Sequence, residues 1–533
     1  MATASSTEAH IIGAGPVSAG AVSVHPLFAV GAVLLGSLLA NVDGRLFSIG
    51  LPDVRGGLSL SFDEGAWLST ASTASQIFVA PAVAWMANVF GLRRVLGVPA
   101  LIYAVISVLI PFLRDYQALL FLTVIHGLLL GTFVPATLLI VFRNLPMKWW
   151  LPAIAIYAVR VGFTLNFGVS LTGWYVETIG WQWIFWQDAI VAPLLALLVW
   201  LGTPREPVDT FVLREADWGG MLLFGSGMAM IYAGLDQGNR LDWFASGTVV
   251  ALIGGGVALA VLFLINESIV ERPWAHAEVL LSRNIGLSLV AILLYTLTSL
   301  SNSSLVPNFL INVAQLRPIE MSGVFLVYAA VPIVALVPLV IYLVRHYDVR
   351  WTLIIGFSAF AAAAFLGTGL TSVWANDNVA PILLIQAVGQ AFTLLPIIII
   401  ALSNSDPSRA TAFAAYIQVM RLGGAEIGIA LMSTWLRVRE QVHSNLLGLH
   451  VASGDADVAG ILAKLNGLFS QHGEGLAQGR SIGTLAGLVQ KQANTLAYID
   501  GFWLTFWLAI AGLVCVSLIG RAPKGPFTPI SQK

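Results

Sequence analysis

The chain has 533 residues, of which 58% are hydrophobic and only 10% are charged, and its formal net charge is −1. Soluble globular proteins carry about 25% charged residues, so this composition excludes a soluble domain and predicts an all-α polytopic membrane protein. The small net charge gives no indication of a charged partner, and no nucleic acid is expected to bind. The single cysteine, Cys515, lies in an apolar run, so the chain offers no disulfide framework.

Fourteen apolar segments have roughly the 18 to 25 residues that a membrane-spanning helix needs. They are 26–48, 64–85, 95–113, 118–141, 150–172, 183–202, 217–236, 245–266, 284–307, 321–343, 351–370, 379–402, 411–435 and 498–520. An even number of spans puts both termini on the same side of the membrane. Residues 1–25 have no basic residue before the first apolar run, so they are not expected to be a secretory signal.

Lysine and arginine predict which side that is. With the N terminus inside, fourteen basic residues lie in the inner loops and the C-terminal tail, against four in the short outer loops. The inner set is Arg93, Arg94, Arg143, Lys148, Arg205, Arg214, Arg272, Arg283, Arg345, Arg350, Arg409, Arg521, Lys524 and Lys533, and the outer set is Arg55, Arg114, Arg240 and Arg317. This positive-inside bias predicts that both termini are cytoplasmic.

Residues 436–497 form the one long segment between spans. Apolar residues recur at helical spacing within 437–450 and within 455–471, which predicts a helical cap on the outer face. Two interpretations of this cap remain open. It is either a docking surface for a partner or an ordered loop that packs on the helix bundle.

The first apolar segment carries an acid and a base, Asp43 and Arg45. A charged side chain inside a membrane helix costs about 2.5–3.5 kcal/mol on insertion scales, so such residues are usually functional. Two residues apart on a helix, these side chains point to nearly opposite faces and need separate partners. We therefore favour a functional role for Asp43, and the alternative is a structural ion pair with Arg160 or Arg421 that fixes helix packing.

A weak internal repeat relates the two ends of the chain. A polar residue, a glycine and a late proline occur in 118–141 and again in 379–402, and the following segments each hold a buried arginine, Arg160 and Arg421. The offset of eight segments predicts two six-helix halves with two extra helices between them. Repeated halves are typical of secondary transporters, whose substrate site lies between the halves near the membrane midplane.

Several short motifs point to one family. They are Val42-Asp43-Gly44 through Gly50-Leu51-Pro52, Ala66-Trp67-Leu68-Ser69-Thr70, Asp217-Trp218-Gly219-Gly220, Leu235-Asp236-Gln237-Gly238, and Arg421-Leu422-Gly423-Gly424 followed by Gly428. With these motifs the chain resembles, over nearly its whole length, the major facilitator superfamily and its branch of fourteen-helix drug:proton antiporters of the EmrB/QacA type. The resemblance implies the major facilitator fold, with 14 transmembrane helices in two six-helix halves plus two extra central helices.

The resemblance also divides the chain. The expected parts are a cytoplasmic N-terminal tail (1–25), an N-terminal six-helix bundle (26–202), a linker with extra helices 7 and 8 (203–283), a C-terminal six-helix bundle (284–520) that includes the periplasmic loop 436–497, and a cytoplasmic tail (521–533). The expected location is the bacterial inner membrane. In Gram-negative relatives, the resemblance further implies a periplasmic adaptor of the membrane-fusion type and an outer-membrane channel as partners.

The implied activity is proton-coupled export of lipophilic or amphipathic small molecules by alternating access, without enzymatic chemistry and without a cofactor. One alternative is a dedicated exporter of a single natural product or siderophore. Another is a membrane sensor or assembly subunit that transports nothing. The sequence has neither a phosphate-binding loop with a lysine nor a Cys/His metal-binding motif, so we expect no ATP hydrolysis and no metal site.

The chain departs from the family at residues usually tied to gating and proton movement. Asn88 stands where the loop between helices 2 and 3 normally has an aspartate, ahead of Arg93 and Arg94. Thr123 replaces the usual arginine of helix 4, and His126 takes the place of a glutamine. The helix-5 motif Gly168-Val169-Ser170-Leu171-Thr172-Gly173 has lost its proline.

Candidate substitutes for these groups lie within the spans. Asp43, Glu426 and His126 are candidates for proton coupling, because a carboxylate that alternates between water and an occluded interior binds and releases a proton. For His126 we favour the alternative of a neutral ring hydrogen-bonded between helices. For Glu426 the alternative is a buried pair with Arg421 or Arg160. Arg160 is also the candidate replacement for the missing helix-4 arginine.

The remaining candidates form two sets. Buried charges and gating groups are Arg45, Arg160, Arg421, Asn88, Arg93 and Arg94. Residues expected to line the substrate cavity are Trp67, Thr70, Thr73, Gln76, Asn166, Asn302, Gln390 and Gln418.

Overall fold

A computed structural model describes residue 23 and residues 25–270, 283–403, 416–417, 419–451, 455–470 and 474–520. Those residues form helices joined by short turns, with no strand among them. The helices used below are α1 (Pro26–Leu58), α2 (Phe62–Phe90), α3 (Leu92–Phe112), α4 (Tyr116–Asn144), α5 (Lys148–Ile179), α6 (Trp183–Gly202), α7 (Trp218–Gly238), α8 (Gly247–Ile269), α9 (Ile285–Asn312), α10 (Pro318–His346), α11 (Val349–Gly367), α12 (Asn376–Ala401), α13 (Gly424–Gly448), α14 (Ala456–Phe469) and α15 (Glu474–Leu518).

Thirteen of the described helices, α1–α12 and α15, are long and apolar enough to cross a membrane. The all-α polytopic architecture expected from composition is thereby confirmed. The predicted segment 411–435 begins outside the described residues, and α13 covers its later part. The count of fourteen spans therefore stays a prediction.

Helix packing repeats between the first and last parts of the chain. Helix α1 packs on α4, α5 and α6, and α3 packs on α4 and α6. In the same way α9 packs on α12, α13 and α15, and α11 packs on α12 and α15. The repeated pattern fits two related halves, which meet where α5 packs on α10 and α12.

Glycines in α4 allow one of these contacts to be very close. A Cβ atom at Gly127 would collide with the backbone carbonyl of Ser72 in α2, and one at Gly131 would lie 2.8 Å from the backbone of Gln76. Small residues let membrane helices approach at backbone distance, where van der Waals packing replaces the missing hydrophobic driving force. The glycines noticed in the sequence repeat thus set the distance between α2 and α4.

The extra helices α7 and α8 pack mainly on each other, and α7 also packs on α2 and α13. The Thr70 hydroxyl donates a hydrogen bond of 2.5 Å to Asp236 of α7. At the end of the same helix, Arg240 Nη1 lies 2.6 Å from Asp63 Oδ1. Helix α7 therefore lies between elements of both halves, where its side chains can reach the centre of the molecule.

The segment 436–497 is helical, as predicted, but its organisation differs from the predicted cap. Helix α13 continues to Gly448, α14 follows, and α15 begins at Glu474 rather than near residue 498. At a rise of 1.5 Å per residue, the 45 residues of α15 span roughly 68 Å, about twice the hydrocarbon thickness of a bilayer.

The reason for the long helix is local. Helix α15 contains no proline to interrupt its hydrogen bonds. Asp500 joins it to α13, because its carboxylate accepts hydrogen bonds from Arg439 at 2.5 Å and contacts His443 at 2.6 Å. We call α14 and the adjoining ends of α13 and α15, residues 437–451, 455–470 and 474–497, the outer helical projection.

Candidate functional site

A cavity of about 280 Å³ lies at the centre of the helix bundle, lined by residues of α1, α2, α4, α5, α7, α9 and α13. Apolar and hydroxyl side chains form most of its wall. Five ionisable side chains also line it: Asp43, Arg45, Asp236, Arg421 and Glu426. Because charged groups are costly within a membrane, their convergence on one cavity marks it as the candidate functional site.

Charges of opposite sign interact across this cavity. Glu426 of α13 interacts electrostatically with Arg45 of α1 and with Asp236 of α7. Arg45 is held on its own side by a hydrogen bond of 3.2 Å from Nε to the carbonyl of Leu165, and its Nη2 is buried without a hydrogen-bond partner. The cavity thus holds a guanidinium from the first half opposite a carboxylate from the second.

The guanidinium groups of Arg160 and Arg421 both lie over the ring of Tyr157. The guanidinium carbons lie 4.1 and 5.6 Å from the ring centroid of Tyr157. Arg160 is only 1% exposed and donates to the carbonyl oxygens of Ser37 at 3.0 Å and of Tyr157 at 2.9 Å. An electron-rich ring and two backbone carbonyls thereby compensate a buried cation.

These contacts bear on two alternatives from the sequence. Arg160 is bound to Ser37 and Tyr157, so the structural alternative in which Asp43 pairs with it is not what the structure shows. Glu426 interacts with Arg45 and Asp236, whereas the alternative from the sequence was a buried pair with Arg421 or Arg160. Sequence could not separate these options because all the arginines come from different helices.

Behind the cavity wall, Asp43 belongs to a buried cluster. A carboxylate oxygen of Asp43, a ring nitrogen of His126 and a carboxylate oxygen of Asp188 lie within 4.8 Å of one another. Ser107 Oγ lies 2.9 Å from His126 Nε2 and donates to Asp188 Oδ2 at 3.2 Å. The Tyr103 ring stacks on His126 at a centroid distance of 4.1 Å. We call Asp43, Tyr103, Ser107, His126 and Asp188 the acidic cluster.

His126 has the geometry expected of a ring bonded between helices. Its Nε2 contacts Ser107 of α3, and it lies 4.0 Å from Asp188 Oδ2 of α6. Asp43, His126 and Asp188 each offer one potential ligand atom, and the Ser107 hydroxyl contacts both His126 and Asp188. The cluster can therefore bind a proton between its buried groups.

The predicted cavity residues divide into two groups. Thr73 and Gln76 line the cavity. Trp67, Thr70, Asn166, Asn302 and Gln390 are not among the residues that line this cavity, and Gln418 lies outside the described residues.

Four of these five side chains have structural partners elsewhere in the molecule, and Asn302 is the exception. Asn166 donates to the Gly162 carbonyl at 2.7 Å, and Trp67 lies under the Arg240 guanidinium. Gln390 accepts from the Tyr295 hydroxyl at 2.6 Å and donates to Ser299 at 2.6 Å. Asn302 sits in a π-helical turn of α9, where neither of its amide atoms has a hydrogen-bond partner. Large amide side chains occur between helices as well as in cavities, so their size alone does not identify the residues that line a cavity.

Sequence reasoning overlooked several residues of the site. Asp188 opens an apolar run and is completely buried, and its charge in a span was a usable signal. Tyr232 and Asp236 line the cavity from α7, a helix that the sequence treated as an addition between the halves. Tyr103 gave no signal, because an aromatic residue in an apolar helix is ordinarily a packing residue.

A separate ion pair lies near the loop between α2 and α3. Arg143 donates to the Ala87 carbonyl at 3.0 Å and to Asn88 Oδ1 at 3.1 Å, and its Nη2 lies 3.2 Å from Glu206. Glu206 thus supplies the carboxylate that Asn88 lacks. Arg93 and Arg94 line a surface pocket together with Glu206.

Comparisons with known proteins agree with this architecture. The sequence profile of the Major Facilitator Superfamily matches residues 33–429. The multidrug export protein EmrB of Haemophilus influenzae is 24% identical over 96% of this chain and 98% of its own. The fatty acid resistance protein FarB of Neisseria gonorrhoeae is 23% identical over 86% of this chain and 89% of its own.

Solved structures show the same fold. The proton:xylose symporter XylE covers 91% of this chain and 95% of its own, with a TM-score of 0.53 and 13% identity. A bacterial homologue of the human drug peptide transporters PepT1 and PepT2 covers 93% of this chain and 98% of its own, with a TM-score of 0.53 and 16% identity. At such identities the similarity shows the fold and nothing about substrate.

Proposed function

Because the chain belongs to the Major Facilitator Superfamily, we propose that it is a proton-coupled secondary exporter of lipophilic or amphipathic small molecules. The observation that carries the proposal is the central cavity, which lies within the helix bundle and holds carboxylates and arginines from different helices. Alternating access requires such a site between two halves that rock against each other. The relatives named for multidrug export cover nearly the whole chain and support the same activity.

The cavity chemistry supports an amphipathic substrate. Its apolar wall suits a lipophilic body, while Arg45, Asp236 and Glu426 suit a polar or charged end. A second candidate is a dedicated exporter of one anionic amphiphile. The observation that favours it is Arg45 Nη2, a buried donor without a partner that could bind a carboxylate.

Proton coupling is assigned in this proposal to Asp43 and Glu426. Both line the cavity, and they come from helices α1 and α13 in different halves. Rocking of the halves changes the access of water to both carboxylates, and a carboxylate binds a proton more readily when it is removed from water. His126 is the third candidate, although its contact with Ser107 favours a structural role.

The proposed location is the bacterial inner membrane, with both termini in the cytoplasm and the outer helical projection in the periplasm. The projection exposes Leu449, Leu468 and Leu476 at 77%, 73% and 62%, which supports docking of a periplasmic adaptor that leads to an outer-membrane channel. A topology reporter fused after Gly448 is expected to report the periplasm, and one fused after Lys524 the cytoplasm. Both reporters on one side would contradict this arrangement.

Transport by purified protein in proteoliposomes tests the activity. With an imposed proton gradient, we expect opposite fluxes of protons and of an amphipathic dye, and Glu426→Gln is expected to reduce both. A fatty acid used in place of the dye separates the two candidates, since a dedicated anion exporter would transport it and leave the dye. Absence of any flux with either compound, from protein that retains its fold, would favour a sensor or assembly subunit.

A further inference from the structure

We propose that Asp188 and Asp43 form one proton-binding unit, in which the two carboxyl groups share a single proton and only Asp43 meets the cavity. The inference rests on the proposed proton coupling and names a residue of that site that the family motifs do not point to. In this inference, Asp188 is the partner that determines how strongly Asp43 binds its proton.

The geometry places the two acids side by side in a dry environment. Asp43 is 4% exposed and Asp188 is completely buried, and their carboxylate oxygens lie within 4.8 Å of each other. They come from α1 and α6, which pack along each other, so the approach is fixed by two long helices. Two carboxylates this close and out of water cannot both remain charged, and such a pair shares a proton.

The groups around the pair offer no compensating cation. From α3, Tyr103 and Ser107 interact with the acids, and from α4 His126 lies 4.0 Å from Asp188. Among the described residues, no arginine or lysine forms an ion pair with either carboxylate. On the same helix as Asp43, Arg45 binds the Leu165 carbonyl, and from α5 Arg160 binds the carbonyl of Ser37.

One buried polar atom points independently to a bound proton. Asp188 Oδ1 is buried without a hydrogen-bond partner. The Asp188 side chain interacts with Asp43. A proton between the carboxyl groups gives the Asp188 oxygen the hydrogen bond it lacks, and an unsatisfied buried acceptor would otherwise be costly.

Access to the pair is one-sided. Asp43 lines the cavity, whereas Asp188, His126 and Tyr103 are not among the lining residues. Water in the cavity can therefore exchange the proton through Asp43, while Asp188 stays behind it. Loss of the proton leaves two neighbouring negative charges, which favours its return when the cavity is next exposed to a proton source.

Infrared difference spectroscopy on the purified full-length protein tests the pair without any substrate. A pH change should reveal the carbonyl stretch of one protonated carboxyl group. Growth with heavy-carbon-labelled aspartate should shift this band in the unsubstituted protein. We expect Asp43→Asn and Asp188→Asn each to remove the band, and the double variant to remove no more than either single one.

Matched variants separate a shared proton from a general effect. Asp236→Asn changes another acid of the same cavity and should leave the band intact. Tyr103→Phe should keep its amplitude but move its frequency, because the neighbouring phenol is lost. A band that survives Asp188→Asn unchanged, or that fails to shift with labelled aspartate, would overturn the shared proton.

The same measurements distinguish this inference from the proposed function. If the unsubstituted protein shows the band but no flux, the shared proton is supported and the proposed transport activity is contradicted. If Asp188→Asn shows proton-driven flux at the unsubstituted rate and an unchanged band, the proposed export activity is supported. The role of Asp188 in proton binding is then contradicted.

Discussion

The two halves use related helix pairs in different ways. In the first half, α1 packs on both α4 and α6, and this contact brings together Asp43, His126 and Asp188. At the corresponding contact between α9 and α12, the second half carries hydroxyl and amide groups, among them Tyr295 and Gln390. The first arrangement leaves a carboxylate oxygen, Asp188 Oδ1, without a hydrogen-bond partner, whereas the unpaired atoms of the second belong to the neutral amides of Asn302 and Gln386.

This difference shows that two structurally related helix contacts can have different roles in one fold. Neutral hydrogen bonds between helices fix the packing at a modest net gain of about 0.5–1.5 kcal/mol each. Ionisable groups in the same position stabilise nothing unless they are neutralised, and they respond to protons. The contact of α1 with α4 and α6 is thus suited to proton binding, and the contact between α9 and α12 to holding its helices in register.

The largest expected effect tests the proton-binding half. Asp43→Asn should abolish proton-driven uptake into inverted vesicles, and Asp43→Glu should retain part of it, because only the latter can carry a proton. The melting temperature of Asp43→Asn should not fall, since the asparagine amide can donate to Asp188 the hydrogen bond that the shared proton otherwise provides. Asp377→Asn, which changes an exposed acid at the start of α12 outside the cavity lining, serves as the matched control and should transport normally.

Full transport by Asp43→Asn would assign the proton to Glu426 instead. A marked loss of stability would indicate that Asp43 pairs with a cation, and a second substitution of that cation would then restore it.

A second prediction separates the membrane halves from the outer helical projection. Replacing Leu449, Leu468 and Leu476 by serine should abolish resistance in cells if this surface docks an adaptor. Transport in proteoliposomes should be unchanged, because these side chains lie far along the chain from every residue of the cavity. Val373→Ser, at a site 84% exposed in the turn between α11 and α12, provides a control of matched character. Unchanged resistance in the triple variant would indicate that the projection only packs on the helix bundle and docks no adaptor.

A third prediction concerns the hydrogen-bonded half. Gln390→Leu leaves the buried Tyr295 hydroxyl without its acceptor and should cost about 1–3 kcal/mol of stability. Proton coupling in the surviving folded protein should remain, because no ionisable group is changed. Leu384→Ala, on the exposed face of the same helix, should change neither quantity. Loss of coupling at unchanged stability would show that the contact between α9 and α12 also takes part in proton movement.

The smallest effect is expected at the ion pair near the loop between α2 and α3. Glu206→Gln should lower stability by roughly 1 kcal/mol or less, since the pair is only partly buried. Adding Asn88→Asp should restore the loss, because residue 88 already lies 3.1 Å from Arg143. Thermal unfolding of both variants measures this rescue. A double variant less stable than Glu206→Gln would show that the two positions do not substitute for each other.

Sequence reasoning located several parts of the site. Asp43, Arg45, Arg421 and Glu426 stood out because a charge in an apolar span is rare, and all four line the cavity. It could not give their partners. A helix of 30 residues presents several faces, and which face meets which neighbour depends on packing between segments more than a hundred residues apart. Asp43 and Asp188 meet in this way, as do Arg45 and Leu165.

By itself, the sequence determined the membrane class, the helical spans and their approximate limits, because a bilayer demands about 20 apolar residues with internally satisfied backbones. It also carried the family motifs and the offset that relates the halves. The tertiary structure alone decided that α7 reaches the cavity, that α15 is longer than a bilayer is thick, and that Asp43 and Asp188 lie side by side at the cavity wall. Composition along one chain determines which segments leave water, whereas contacts between helices determine which charged groups become neighbours.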